Sequence, residues 1–383
     1  MIRVAMRMLV GDPAKFFGIL LGVTLASMVI TQQGSIFVGL MSRTFATIKE
    51  MAQPDIWVMD PKVQYIDDVK PLQSTALQRV RGVEGVDWAV PLYKGMIRVR
   101  LPSGQFVNCN LYGLDDASLI GAPKDLLDGR VEDLRQDGAV IVDEAGAVGR
   151  LARRSADGTT RPLAMGDELE LNDHRGRVVG VARVSRTFQS QPNLYTLYSR
   201  ATRFVPGERK LMSFVLVRAK AGVDVDRVCA AIERETGLAA YTKPEFQNLT
   251  VAYFLKNTGI PINFGIAVAL GFLVGAIITG FMFYSFTLDN LRYFGTLKAM
   301  GTSDGTLLGM ILLQAGYVAV MGFGLGVGLA ALFGNSMGKS QLAFRLTWQL
   351  SLVAACAVAM ICALAALLSV RRVISLEPGV VFK

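Results

Sequence analysis

Histidine is nearly absent from these 383 residues, and that scarcity narrows the chemistry at once. The only one, His174, sits in Asn172-Asp-His-Arg-Gly176, a polar stretch that reads as a solvated turn. No Ser-His-Asp or Cys-His constellation can be built around it. Cysteine is also scarce: Cys109, Cys229, Cys356 and Cys362 show no metal-ligand spacing. Cys356 and Cys362 fall in an apolar run as small packing groups, and Cys229 shares a predicted inward helix face with Val225, Val228 and Ile232. Cys109 lies in a predicted strand, and a disulfide between Cys109 and Cys229 is permitted only outside the cytoplasm. A phosphate-binding loop is missing as well. Gly334-Asn-Ser-Met-Gly338-Lys339-Ser340 has three residues between its glycines where that loop needs four, and it follows an apolar run rather than a strand. The expectation is a chain with no catalytic residue, no metal site and no cofactor of its own.

Charge is low overall, at 19%, and wholly absent from four long runs: residues 16–40, 262–288, 307–333 and 350–370. Each exceeds the roughly 20 residues needed to cross about 30 Å of hydrocarbon. With 52% hydrophobic residues and a mean hydropathy of +0.40, this is the composition of a polytopic membrane protein. The charge that exists is concentrated between Arg43 and Lys256, which hold 30 of the 40 basic and 27 of the 31 acidic residues. Both signs are interspersed there, so the formal net charge of +9 is no sign of a nucleic-acid partner.

Orientation follows from the basic residues near the membrane ends. Arg3, Arg7, Lys15, Arg292, Lys298, Arg371, Arg372 and Lys383 lie on one side, against Lys339 and Arg345 on the other. That predicts a cytoplasmic segment 1–15, a first span 16–41, an extracytoplasmic domain 42–261, a second span 262–288, a cytoplasmic loop 289–306, a third span 307–333, a short outer loop 334–349, a fourth span 350–370 and a cytoplasmic tail 371–383. The first run is too long for a cleaved signal, and Thr31-Gln-Gln-Gly-Ser35 is no small-residue cleavage site. Residues 1–10 carry Arg3 and Arg7 among apolar side chains, a pattern open to a short surface helix or a disordered tail.

The outer domain reads as α+β. Strands are predicted at 56–59 and 86–91, a helix at 74–81, and hairpins at 97–101 with 105–112 and at 167–171 with 178–184 around turn 172–176. A strand at 214–218, a helix at 225–236 and a strand at 239–241 repeat the opening pattern. The expectation is one βαβ-like subdomain built from both ends of the segment, with a β-rich insertion over about 113–206. Helices are expected to join this domain to the membrane as a stiff stalk. Thr242-Lys-Pro-Glu245 has capping-box spacing, and no proline lies between Phe37 and Met51.

Glycines four apart mark close helix approach in lipid: Gly18 with Gly22, Gly271 with Gly275, Gly322 with Gly326, and Gly324 with Gly328. No intramembrane charge marks a path for a small hydrophilic substrate. In the loop 289–306, Leu291, Phe294, Leu297 and Lys298 recur at helical spacing, and Gly301 can end the helix. Such a helix is expected to present its apolar face to a cytoplasmic partner.

Thr296-Leu-Lys-Ala-Met-Gly301 with Gln314 in the next span, Met165-Gly-Asp-Glu-Leu-Glu-Leu171 with Val178-Val-Gly-Val181, and the one-plus-three topology together resemble permeases of the MacB/FtsX superfamily of ABC transporters. Thr258-Gly-Ile-Pro-Ile-Asn263 and Tyr293-Phe-Gly-Thr-Leu-Lys-Ala-Met-Gly301 resemble the DevC-type members most. The resemblance implies a homodimer in the cell's inner membrane, with a MacB-like periplasmic core domain. It implies a separate cytoplasmic ABC ATPase, carrying ATP and magnesium, docked on a coupling helix comprising Leu291, Arg292, Tyr293, Phe294, Leu297, Lys298, Met300 and Gly301. It also implies a periplasmic membrane-fusion adaptor leading to a TolC-like outer-membrane channel, and an amphiphilic or lipid-like cargo. A lipoprotein-releasing permease, an FtsX-like transducer controlling a cell-wall hydrolase, and an ATP-independent receptor are the rival readings.

Overall fold

The computed structural model describes residues 2–154, 159–205, 212–337 and 342–374, in two compact units. One comprises residues 1–40 and 259–383, the other residues 41–258. Lys339, Lys383 and residues 338–340 of the glycine-rich stretch lie outside the described residues, as do the side chains of Arg371 and Arg372.

The helical unit holds four helices long and apolar enough to cross a membrane: Pro13–Thr44, Ile260–Asp289, Asp304–Ser336 and Trp348–Val370. They are the first to fourth spans. A short helix, Ile2–Gly11, precedes them and resolves the two options open for this segment. Ala5 and Leu9 are buried, Arg3 and Arg7 are exposed, and the Gln314 Nε2 of the third span donates to the Ala5 carbonyl at 2.8 Å. A further polar feature carries no charge signature at all. Thr24, Ser27, Thr31 and Ser35 recur every three or four residues along the first span, and all four are buried. The Ser27 hydroxyl donates to the Phe323 carbonyl at 3.3 Å, a neutral hydrogen bond of the kind that joins helices in lipid.

The α+β unit is built on strands β1 (Ile56–Met59), β2 (Val86–Arg100), β3 (Phe106–Leu114), β4 (Asp125–Asp128), β5 (Ala139–Asp143), β6 (Arg153–Arg154), β7 (Thr160–Arg161), β8 (Glu168–Leu171), β9 (His174–Arg183), β10 (Asn193–Leu197), β11 (Phe214–Ala219) and β12 (Ala239–Thr242). The main sheet runs β12-β1-β11-β2-β3-β10-β5-β9-β4, with β8 bridging β2 and β9, while β6 and β7 form a separate pair. In its first four strands every neighbour is antiparallel, so β1 and β2 are parallel across β11, and β11 and β12 across β1. With helices Ser74–Arg81 and Val225–Thr236 as crossovers, this is a double split βαβ. It uses both ends of the segment, in keeping with the repeated pattern.

Both faces of that sheet are covered, which is why Ile-Trp-Val-Met reads as an unbroken apolar run. Ile56 and Val58 face the two crossover helices with Val80, Val228 and Ile232, while Trp57 and Met59 pack on the other side with Phe214, Leu216 and Phe246.

Two local expectations need correction. The strands predicted at 86–91 and 97–101 are one 15-residue strand, because Pro91 falls where β2 has β11 on one side and β3 joins only at Tyr93. The sheet therefore continues without a break past residue 113, where the insertion was expected to begin. The hairpin turn at 172–176 is shorter than read. Asn172 and Asp173 alone form it, at φ 45° and 64°, and His174 already belongs to β9.

The connecting helices are interrupted rather than continuous. Helix Pro13–Thr44 stops before Phe45 and a short helix, Ala46–Glu50, follows. Helix Lys243–Asn257 opens on the expected capping box, with the Glu245 carboxylate accepting from the Thr242 N–H at 2.8 Å. It ends at an extended Thr258 (φ −124°, ψ 152°). Pro261 explains that stop: its ring would clash with the carbonyl four residues back and it has no N–H to give.

No sequence pattern marks Arg200 as structural. It is buried, and its guanidinium donates to the carbonyls of Leu134 at 2.8 Å, Ala139 at 3.1 Å and Gln136 at 2.7 Å, with desolvation lowering its pKa. Arg200→Ala would leave the Leu134 carbonyl without its guanidinium donor and the Ala139 carbonyl with only the Thr196 hydroxyl, and we expect a loss of about 2 kcal/mol, read as a lowered urea midpoint of the detergent-solubilised chain.

Candidate functional site

Between the second and third spans the chain forms a helix, Leu291–Ala299. Asn290 starts it by turning back on the second span, its Nδ2 donating to the Phe286 carbonyl at 2.8 Å. Gly301 ends it at φ +89°. The Thr302 N–H reaches the Leu297 carbonyl at 3.1 Å and the Gly301 N–H that of Lys298 at 3.0 Å, the paired bonds of a Schellman stop. Lys298 pairs with Asp304 at 3.1 Å across the turn, and Lys15 pairs with Asp289 at the end of the second span.

The helix is amphipathic, but its apolar face points the opposite way from the expectation. Phe294 is 0% exposed, and it packs with Phe283, Phe286, Leu307, Met310 and Ile311. Leu291 and Leu297 are partly buried against the same cluster. Phe294 cannot present itself to a cytoplasmic partner, because it is wholly inside its own bundle, and Leu291 and Leu297 offer only part of their surface. The exposed face is Arg292, Tyr293, Thr296 and Met300, with Tyr293 64% and Met300 70% exposed. Leu297→Asp would therefore disturb the bundle as well as any docking.

The glycine pairs are occupied within the chain. A Cβ on Gly18 would lie 3.1 Å from the Met282 sulfur, and one on Gly22 2.8 Å from Ile278. Gly271 faces Val29 at 2.7 Å and Gly275 faces Ala26 at 2.3 Å, so these four set the first span against the second. Gly322 meets Val23 at 2.5 Å and Gly326 meets Ser27 at 2.5 Å, which sets the other side of the first span against the third. Gly324 and Gly328 have nothing within 4 Å.

The remaining titratable groups form no catalytic arrangement among the described residues. No group of three or more His, Cys, Asp or Glu among them is placed to hold a metal ion. All four cysteines are free, Cys109 and Cys229 buried in different clusters. Burial pushes both thiols up, Cys229 to about 12, so neither is a nucleophile. Burial also moves the Asp143 carboxyl toward neutrality, to about 6. Its oxygens accept from the Gly146 and Asn193 N–H groups, a capping role.

Four membrane-length helices, a short helix linking the second and third, and an α+β unit of split βαβ type define the class: a candidate multi-pass membrane protein with a large domain outside its spans. The chain belongs to the MacB/FtsX superfamily, matching the MacB-like periplasmic core domain over residues 16–235 and the FtsX-like permease C-terminal domain over residues 265–378. It is 23% identical over 202 residues to an uncharacterized ABC transporter permease of Methanocaldococcus jannaschii, covering 50% of each chain, so it spans about half the length of that curated relative. Among solved structures it is similar to the periplasmic region of MacB from Actinobacillus actinomycetemcomitans, with a TM-score of 0.38, 16% identity, and coverage of 55% of this chain and 96% of that one. It is also similar to the extracellular domain of the ABC-type transporter YknZ from Gram-positive bacteria, with a TM-score of 0.34, 15% identity, and coverage of 49% and 98%.

Proposed function

We propose that this chain is the membrane subunit of an ABC exporter, with both termini and the loop helix in the cytoplasm and the α+β unit on the outer side of the inner membrane. A separate ATPase binds and hydrolyses ATP with magnesium, docks on the exposed face of the loop helix, and drives the outer domain through the connecting helices. The permease acts as a homodimer. Its outer domain engages an adaptor and an outer-membrane duct, as in the DevC-type permeases it resembles, and the cargo is amphiphilic.

The single observation that supports this reading is the division of the loop helix into two faces. Phe294, Leu291 and Leu297 fasten it to the second and fourth spans, so a push on Tyr293 or Met300 is delivered to packed helices. Surface side chains of this size with no partner among the described residues fit a docking anchor. Placing carboxylates there tests it. Tyr293→Asp with Met300→Asp should leave the permease folded in detergent and cut the ATPase recovered with it at least about tenfold, equivalent to ~1.4 kcal/mol. Full recovery of the ATPase would assign docking elsewhere.

A further inference from the structure

The α+β unit contains a cavity of about 450 Å³ that the docking reading leaves unused. It opens where β2 exchanges neighbours. Up to Leu92 the strand pairs with β11, and from Tyr93 it pairs with β3. Ser213 closes the β11 ladder, its hydroxyl bonded to the main chain of Lys94 at 2.8 and 2.9 Å. The Lys94 side chain, 5% exposed, is thereby turned into the cavity floor, where Asp67 pairs with it. Asn110 stands beside them, held by its Nδ2 to Asn193 at 3.0 Å and Thr187 at 3.4 Å. One wall is apolar, made by Val69, Pro71, Tyr93 and the half-exposed Met96, with Tyr65 fixed by stacking on Tyr253 at 4.2 Å, and Thr187 and Gln189 add polar groups to the rim.

Lys94 has three N–H donors and one side-chain acceptor, Asp67; the second carboxylate oxygen of Asp67 has no partner among the described residues. A floor with both donor and acceptor capacity left over recognises a group that offers both in return. Its two charges cancel, so a ligand with a net-charged headgroup would bring a buried charge with no counterpart, which is costly. An uncharged headgroup bearing hydroxyls or an amide meets the floor without that cost, and its hydrocarbon body takes the aromatic and aliphatic wall. The volume is in the range of small-molecule sites. We infer that this cavity binds an uncharged amphiphile through a hydroxyl or amide headgroup set on the Lys94 and Asp67 pair. Binding here is independent of the loop helix and of any ATPase.

The test uses the full chain in phosphatidylcholine nanodiscs and a diazirine-tagged octyl glucoside as the probe, with the photolabel mapped by mass spectrometry. Label is expected on peptides carrying residues 65–71 and Met96. Unlabelled octyl glucoside should displace it at least about tenfold more effectively than octanoate or octyltrimethylammonium. Met96→Trp, at a solvent-facing position, should fill the mouth and reduce that label about tenfold while labelling of the spans is unchanged. Asp67→Asn leaves a net positive floor, so octanoate should then compete about tenfold better than it does against the unsubstituted protein. Equal competition by all three amphiphiles, or label confined to the spans, overturns the proposal.

Discussion

Phe294→Asp is expected to abolish the folded helical unit, while Tyr293→Asp one position away should leave it intact. The difference is a matter of direction. Phe294 lies wholly inside a cluster drawn from all four spans and the N-terminal helix, so its loss alone costs about 3–5 kcal/mol. The new carboxylate adds the cost of burying an ionisable group. Together these match or exceed the whole stability of an ordinary domain, about 5–15 kcal/mol. The expected observation is loss of the monodisperse peak in detergent gel filtration, with Phe294→Leu restoring it at a cost below about 1.5 kcal/mol. A monodisperse Phe294→Asp protein would mean that the loop helix does not depend on its inward face.

Gly326→Leu should separate the first span from the third. A Cβ there already falls 2.5 Å from the Ser27 Cβ and 2.7 Å from the Thr24 carbonyl oxygen, closer than such atoms approach, before the rest of the leucine is placed. The backbone carbonyl cannot turn aside as a flexible side chain could, so the helices must part. Overpacking of this kind costs about 3 kcal/mol, and the Ser27 bond to Phe323 is lost with it. The detergent melting temperature should fall by several degrees, since a chain of this size loses about 2–4 °C per kcal/mol. Gly275→Leu, opposed by the Ala26 Cβ at 2.3 Å, should behave alike on the other side of the same helix. Gly324→Leu is the control: it meets nothing within 4 Å and should leave the melting temperature unchanged. Equal effects at Gly324 and Gly326 would show that glycine matters here through backbone flexibility rather than through close approach.

Legibility differed by scale. Span number and approximate position could be read from charge alone, because a bilayer tolerates so few charges that their absence over twenty residues is hard to produce otherwise. The short strands of the split βαβ and its two crossover helices were also readable, since Ile56 to Met59 and Val225 to Thr236 carry their burial patterns locally. The β2 strand was not. Its Pro91 reads as a stop, and only the late arrival of β3 makes it acceptable.

The candidate site shows the same division. Sequence periodicity located the loop helix and its Gly301 stop, because helix-forming spacing and a left-handed glycine are properties of the chain itself. It could not say which way the apolar face would turn. Leu291, Phe294 and Leu297 suit a partner's groove and their own bundle equally well by composition, and the choice was made by Phe283, Phe286 and Met310 arriving from elsewhere in the chain. The same is true of the glycine pairs, whose spacing announces close approach but not to which helix. From the residues alone came four helices long and apolar enough to cross a membrane and a large α+β domain, because hydrophobic run length and the punctuation of short strands are local quantities. Only tertiary structure decided which residues of the loop helix are anchors and which are offered outward, and that Lys94 and Asp67 meet on a cavity floor, because those outcomes depend on groups far apart in the chain filling one space.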